Sequence, residues 1–181
     1  MTGTRKGRQG MTRTGWQKNW VRITTTLLTA AVMIMIFCFS TENAEQSDRR
    51  SGVIADVLVR MIHPDYDHME TAHRQSVYDD MQYIVRKGAH FTEYMLLGFL
   101  IRLCLESWFG HRIRKTGILL PAGFGAGTAY ACTDEAHQLT TDGRSGAWTD
   151  VLVDAGGVLA GVILGSWLIR MTKRKSRKQR E

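Results

Sequence analysis

The chain has 181 residues, a formal net charge of +7 at neutral pH and three cysteines, and 44% of its residues are hydrophobic. Its length fits one domain, and an odd number of cysteines that all lie in apolar segments argues against a disulfide framework. Apolar residues are gathered in a few blocks while both ends are basic, so the charge is explained by membrane topology and no nucleic-acid partner is expected.

Residues 1–22 contain six basic residues and no acidic one, which favours a disordered basic arm on the cytoplasmic side. The following apolar run, about residues 23–40, has the length of a transmembrane helix, and Trp16 and Trp20 precede it where interfacial aromatic residues are common. A secretory signal has a similar layout. Because Phe37-Cys38-Phe39-Ser40 is not a typical cleavage site, we favour a retained span.

The polar region 41–88 is predicted to be external, and its acidic residues outnumber its basic ones. Within it, apolar residues keep helical spacing from Val53 to Ile62, and Pro64 ends the segment. This pattern predicts a short amphipathic helix. The helix would either lie on the membrane surface or pack on the loops of the other helices, and the sequence fits both interpretations equally.

Three further spans are predicted, at about residues 89–109, 116–133 and 151–169. Arg102 and Glu106 lie near the far end of the first of these, where long side chains can reach the interface. The last carries Gly157, Gly161 and Gly165, and small residues four apart allow close helix contact in lipid. A homodimer through this glycine face, acting as a scaffold for other membrane proteins, is one predicted assembly.

Orientation follows from the basic segments, because cytoplasmic loops of membrane proteins are enriched in lysine and arginine. The arm 1–22, the loop 111–115 and the tail 171–181 all fall on one side if the chain crosses the membrane four times. We therefore predict an all-α integral membrane protein with four transmembrane helices in a membrane domain at 23–170. It also has a short amphipathic helix in the first external loop. The protein is expected in the cell membrane, as a multi-pass protein with both termini in the cytoplasm.

Two clusters of titratable residues fall at the predicted external ends of the spans. The first contains Arg86, Lys87, His90, Glu93 and Tyr94, and three of its members share one helix face. The second contains Asp134, Glu135, His137 and Gln138, followed by Arg144 and Asp150. Asp154 lies one turn beyond Asp150 and is predicted to face a neighbouring helix as an intramembrane carboxyl group. We expect the two clusters to form one site.

The residue types in this site suit acid–base chemistry on an envelope lipid or its headgroup. His90, Glu93, Glu135 and His137 are the candidate general acids and bases, and Arg86, Lys87 and Arg144 are candidates for holding a phosphate or carboxylate. The supporting residues are Tyr94, Asp134, Gln138, Asp150 and Asp154. A metal would find suitable ligand types in His90-x-x-Glu93, Asp134 or Glu135, and His137. That spacing matches no well-defined metal motif, so no cofactor is expected.

Other interpretations remain open for the same residues. The charged groups can act as clasps between helices, pairing Arg86 with Glu93 or Glu135, and Arg144 with Asp150, because an unpaired buried polar group is destabilising. The site can also be a binding module that holds a lipid headgroup, a lipid-linked precursor terminus or a glycopeptide carboxylate without turnover. Membrane lipids are expected partners in each case.

Two stretches of the sequence resemble the signatures of the VanZ-like membrane proteins. The first runs from Arg86 to Gly98, and the second is Thr133-Asp134-Glu135-Ala136-His137-Gln138 followed by Arg144-Ser145-Gly146, Asp150 and Gly157. The resemblance covers Ser51 to about Trp167, and this chain has Asp154 where the family pattern usually has Asn. The resemblance implies a small polytopic cell-membrane protein linked to resistance to the glycopeptide teicoplanin. It does not imply a particular chemical reaction.

Overall fold

A computed structural model describes residues 13–110, 113, 116–140 and 148–178. Within these ranges the chain forms only helices, so the all-α prediction is confirmed. The elements are α1 (Arg13–Ser40), α2 (Ala44–Ile62), a 3-10 turn (Tyr66–His68), α3 (Thr71–Phe109), α4 (Thr116–Gln138) and α5 (Trp148–Lys178).

Two of the described helices are long and apolar enough to cross a membrane, α1 through Trp16–Ser40 and α5 through Trp148–Ser176. No other described helix meets the same criterion of length and hydropathy. Two such helices are compatible with a membrane protein, and the four-span arrangement remains a prediction.

The helices extend beyond the predicted spans. α1 already begins at Arg13, so the described part of the basic arm is helical, whereas the sequence favoured disorder. Trp16 and Trp20 are exposed on this first part of the helix. α3 is 39 residues long and begins at Thr71. Residues 71–88, which were predicted to belong to the external region, form the first part of this helix.

The amphipathic helix predicted after the first span is confirmed as α2, and its external location remains a prediction. Asn43 and Gln46 form a reciprocal capping box at its start, and the helix ends at Ile62, before Pro64. Its small residues face α3, where an added side chain at Gly52 would lie 2.5 Å from the hydroxyl of Tyr78. The opposite stripe of Val53, Val57 and Met61 is exposed. α2 thus packs on another helix and still leaves an apolar face open.

The central pair of the molecule is α3 and α5, which run parallel and form its largest described interface. Gly157 and Gly161 lie directly on the backbone of α3. An added methyl group at Gly161 would overlap the carbonyl oxygen of Met95 and lie 2.6 Å from the amide nitrogen of Phe99. The predicted glycine stripe therefore makes a close helix contact, but it makes it within one chain. A dimer, which remains a prediction, would need another surface.

α4 runs antiparallel to α3 and α5. α1 packs against α3 and also contacts α4. Gly127 of α4 lies against Val158 of α5, and the Tyr130 hydroxyl donates to the carbonyl oxygen of Met33 in α1 at 2.6 Å. The shared core includes Ile36, Leu97 and Val158. The helices that bear the two titratable clusters are thereby fixed side by side.

The structure corrects one sequence expectation about α3. Arg102, expected to extend toward the interface, is completely buried. Its Nε donates to Ser166 Oγ of α5 at 2.9 Å, and its Nη1 donates to Glu106 Oε2 at 3.0 Å. The reason is the glycine contact, because α5 packs so closely here that a Cβ added at Gly165 would lie 3.2 Å from Arg102 Cβ and Cγ.

Candidate functional site

A cavity of about 280 Å³ lies where α1 and α4 end and α2 begins, against the middle of α3. Its walls combine apolar and polar side chains. The apolar lining comes from Ile36, Phe39, Ile54, Val85 and Ala89, and the polar lining from Ser40, Ser47, Arg50, Ser51, Arg86, His90, Glu93, Asp134 and Gln138.

The two predicted clusters meet in this cavity. α3 contributes Arg86, His90 and Glu93, which share one face as the helical spacing predicted, and α4 contributes Asp134 and Gln138. This juxtaposition arises because α3 and α4 are antiparallel neighbours, so that the first half of α3 lies beside the last turn of α4.

His137 and Glu135 occupy different positions from the cavity residues. The ring of His137 stacks on Phe37 of α1 with 4.9 Å between ring centres, and Glu135 is buried within the last turns of α4. Neither is among the described residues that line the cavity. The four candidate acids and bases are thus divided, with His90 and Glu93 in the cavity and the other two beside it.

Asp154 lies directly behind His90. Its carboxylate is only 1% exposed, and its Oδ1 lies 3.5 Å from His90 Nδ1. Asp154 therefore faces the neighbouring helix α3, and its location within the membrane remains a prediction. The two atoms are within ion-pair distance without forming a hydrogen bond, and a carboxylate on this side of the ring favours a proton on Nδ1 over Nε2.

The floor of the cavity has unused hydrogen-bonding capacity. Gln138 Nε2 donates to Asp134 Oδ2 at 3.1 Å, whereas Asp134 Oδ1 and the hydroxyl of fully buried Tyr94 have no hydrogen-bond partner among the described residues. Tyr94 is not among the described residues that line the cavity. Because buried polar atoms are rarely left unpaired, Asp134 Oδ1 is suited to bind a polar group of a ligand.

The basic residues are paired differently from the sequence expectation. Arg86 donates to Asp48 Oδ1 at 2.7 Å, where Glu93 or Glu135 was the expected partner. Lys87 pairs with Asp150 at the start of α5 and does not line the cavity. Arg144 lies outside the described residues, and so does its expected pairing with Asp150.

Sequence reasoning missed the contribution of α2. Arg50 and the hydroxyls of Ser47 and Ser51 line the cavity, and Asp48 holds Arg86. The available signal was the stripe of small residues at positions 47, 51 and 55, which is the spacing of a helix face that packs closely on another helix.

The interpretation as a metal site gains no support from the geometry. In the described ranges, no three His, Cys, Asp or Glu side chains are grouped so that they would hold a metal ion. The expected set fails to converge because His137 faces Phe37 instead of His90.

The chain matches a known family. The family model described as VanZ/LLP1 matches residues 25–170, which covers nearly all of the four predicted spans and every residue of the cavity. No curated protein and no solved structure matches the chain.

Proposed function

The chain belongs to the VanZ/LLP1 family and is a VanZ-like membrane protein. From this premise we propose that it binds phosphate-bearing envelope lipid or a lipid-linked peptidoglycan precursor in the cavity between α1, α2, α3 and α4. In this proposal four helices cross the membrane with both termini in the cytoplasm, so the cavity lies at the outer face. A link to teicoplanin resistance fits such a location, because glycopeptides act on an external precursor terminus.

The combination of two arginines with an apolar wall in one cavity carries the proposal. Arg50 and Arg86 suit a phosphate, because guanidinium groups form charge-assisted and often bidentate bonds to its oxygens. Ile36, Phe39 and Ile54 form the apolar wall. Ile54 continues into the exposed stripe of α2, and this surface suits the first part of a lipid tail.

Both arginines already have carboxylate partners, Glu42 for Arg50 and Asp48 for Arg86. These pairs are partly exposed, and exposed ion pairs contribute only about 0–1 kcal/mol. A phosphate can therefore displace the carboxylates. The floor of the cavity offers hydrogen-bond acceptors instead of cations. Glu93, Asp134 and His90 can accept hydrogen bonds from hydroxyl or amino groups. A headgroup with a phosphate at one end and such donors at the other fits both parts.

Binding can be tested with the purified full chain in detergent, by thermal stability during titration with a polyprenyl phosphate and with the matching uncharged prenol. We expect stabilisation by the phosphate only, and about a tenfold weaker affinity for Arg50→Gln, as expected for the loss of one charge-assisted contact. Arg49→Gln is the matched control, because Arg49 is 78% exposed and pairs only with Glu45. Equal effects of the two substitutions, or equal stabilisation by the prenol, would contradict the proposal.

The second candidate function is enzymatic modification of the same ligand, and the His90–Asp154 pair favours it. A histidine that lies against a buried carboxylate and lines a cavity is arranged as a general base. The neighbouring Glu93 provides a second group for proton transfer. Holding a headgroup does not require this arrangement.

Cell-based susceptibility to teicoplanin separates the two candidates. Strains would express the wild type, His90→Gln, Glu93→Gln and His137→Ala at equal membrane abundance. An enzyme loses its resistance effect in His90→Gln while the purified variant still binds the phosphate probe. A binding module keeps both. His137→Ala is the comparison, because this ring stacks on Phe37 beside the cavity. Resistance that survives all three substitutions in a protein that does not bind the phosphate probe favours the clasp interpretation.

A further inference from the structure

A second polar cluster lies at the other end of α3, where α1 begins and α5 ends. A cavity of about 270 Å³ is lined there by Lys18, Arg22, Glu106, Ser107, Gly110 and Lys173. Along α3, Glu106 lies 13 residues beyond Glu93, which corresponds to about 20 Å. The cluster is therefore separate from the candidate site described above.

The acidic member of this cluster is fixed in place. Glu106 accepts hydrogen bonds from Arg102 Nη1 at 3.0 Å and from Lys173 Nζ at 2.5 Å. Gly110 leaves space for it, since an added side-chain carbon there would lie 2.5 Å from Glu106 Cδ. Because Glu106 pairs with both Arg102 and Lys173, Lys18 and Arg22 are the cations of the cavity that it does not neutralise.

Lys18 and Arg22 are the cations without an acidic partner. Arg22 Nε donates to the carbonyl oxygen of Ser107 at 3.0 Å, and its guanidinium lies 5.1 Å from the ring centre of Trp108. Neither Lys18 nor Arg22 forms an ion pair with a carboxylate of the described residues. These contacts orient Arg22 toward the cavity, where its terminal nitrogens remain available.

An apolar surface adjoins these cations. A neighbouring cavity of about 320 Å³ shares Lys18 and Ser107 and is also lined by Val21, and Val21, Leu28 and Trp20 are exposed on α1. Basic pockets between membrane helices, with tryptophan at the headgroup level, are suited to anionic lipid headgroups. A soluble anion would make no use of the apolar surface.

We propose that this cavity binds the phosphate of an anionic membrane lipid, with Lys18, Arg22 and Lys173 around the phosphate and the acyl chains along α1. The site lies on the membrane face that carries the basic ends of the chain. It is independent of the proposed external function, because it shares no residue with that cavity.

The test uses the purified full chain in detergent with three probes, phosphatidylglycerol, phosphatidylcholine and glycerol phosphate. Thermal stability gives the affinities, and native mass spectrometry counts retained lipids. We expect phosphatidylglycerol to bind at least about tenfold more tightly than phosphatidylcholine, and Lys18→Gln to weaken it about fivefold, the usual effect of one cation near a membrane surface. Within the described part of the chain, Lys18 forms no hydrogen bond or ion pair that the substitution would break.

The matched control is Lys175→Gln, which removes the same charge from an exposed position of α5 outside the cavity and should change the affinity less than twofold. An additional, weaker effect of glycerol phosphate supports recognition of the headgroup by the cations. Stabilisation by glycerol phosphate without any by phosphatidylglycerol overturns the lipid assignment. Equal losses in the two variants, or no preference for the anionic lipid, overturn the site.

Discussion

Asp154 is a carboxyl group placed almost entirely out of water, with His90 at 3.5 Å as its polar neighbour on α3. Burial of a polar group is tolerated when a partner satisfies it and becomes destabilising when the partner is removed. We therefore expect the stability of the protein to depend more on a polar group at position 154 than on its negative charge.

Asp154→Asn keeps an acceptor for His90 Nδ1 and should change the free energy of unfolding by less than about 1 kcal/mol, whereas Asp154→Leu should lower it by about 2–3 kcal/mol. Thermal and chemical unfolding in detergent measures both. Equal stability of the two variants would show that the contact does not contribute. Loss of ligand-linked activity in the stable Asn variant would instead assign a role to the negative charge.

Lys87 and Asp150 join α3 to the first turn of α5, and both side chains are only 20% exposed. A double-mutant cycle with Lys87→Gln and Asp150→Asn should give a coupling energy of about 1–3 kcal/mol, because contacting charges that are partly buried are coupled in this range. The exposed pair Arg49 and Glu45 is the comparison and should give less than about 0.5 kcal/mol. Similar values for both pairs would contradict the burial argument.

The helices could be predicted from the periodicity of apolar residues and from helix-breaking residues. The contacts between the helices could not. The apolar spacing of α2 and Pro64 gave its existence and its end, while the starts of α1 and α3 were placed too late because polar residues there are compatible with either helix or coil. Glycine spacing indicated a close contact. It could not indicate whether the partner was α3 of the same chain or a second copy, since both present similar backbone.

Gly161→Ala tests that contact at the element scale. The added methyl group would overlap α3 backbone, so we expect at least about 2–3 kcal/mol of destabilisation, as for other overpacking substitutions. Gly125→Ala is the matched control, because an added side chain in α4 at this position meets nothing within 4 Å, and it should be neutral or slightly stabilising. Unfolding curves in detergent report both, and a neutral Gly161→Ala would refute the packing described.

At the scale of the molecule, the convergence of the two clusters was predictable because both were assigned to one depth in the membrane. The ion pairs could not be predicted. Arg86 pairs with Asp48 and not with Glu93, and this depends on the rotation of α2 about its axis. The same topology that placed the clusters also predicts the side of each loop, which is open to direct measurement.

Single-cysteine variants in a background with Cys38, Cys104 and Cys132 replaced by serine test the topology with a membrane-impermeant thiol reagent. Ala72→Cys should label in intact cells, while Ile113→Cys should label only after permeabilisation, because four spans place the loop after α3 in the cytoplasm. Ser176→Cys serves as the cytoplasmic reference. Labelling of Ile113→Cys in intact cells would support two spans, formed by α1 and α5, and would reject four.

The parallel contact of α3 with α5 also has a consequence for the order in which the helix contacts form during synthesis. Chains emerge from the ribosome with the N-terminal part first, and α5 is the last of the described helices to be made. The largest interface among the described helices therefore forms last. Until α5 is inserted, the backbone of α3 near Met95 and Phe99 lies open, and Asp154 cannot meet His90. A chain interrupted after α4 would leave the same surface uncovered, which is where we expect a membrane protease or chaperone to recognise an unfinished copy.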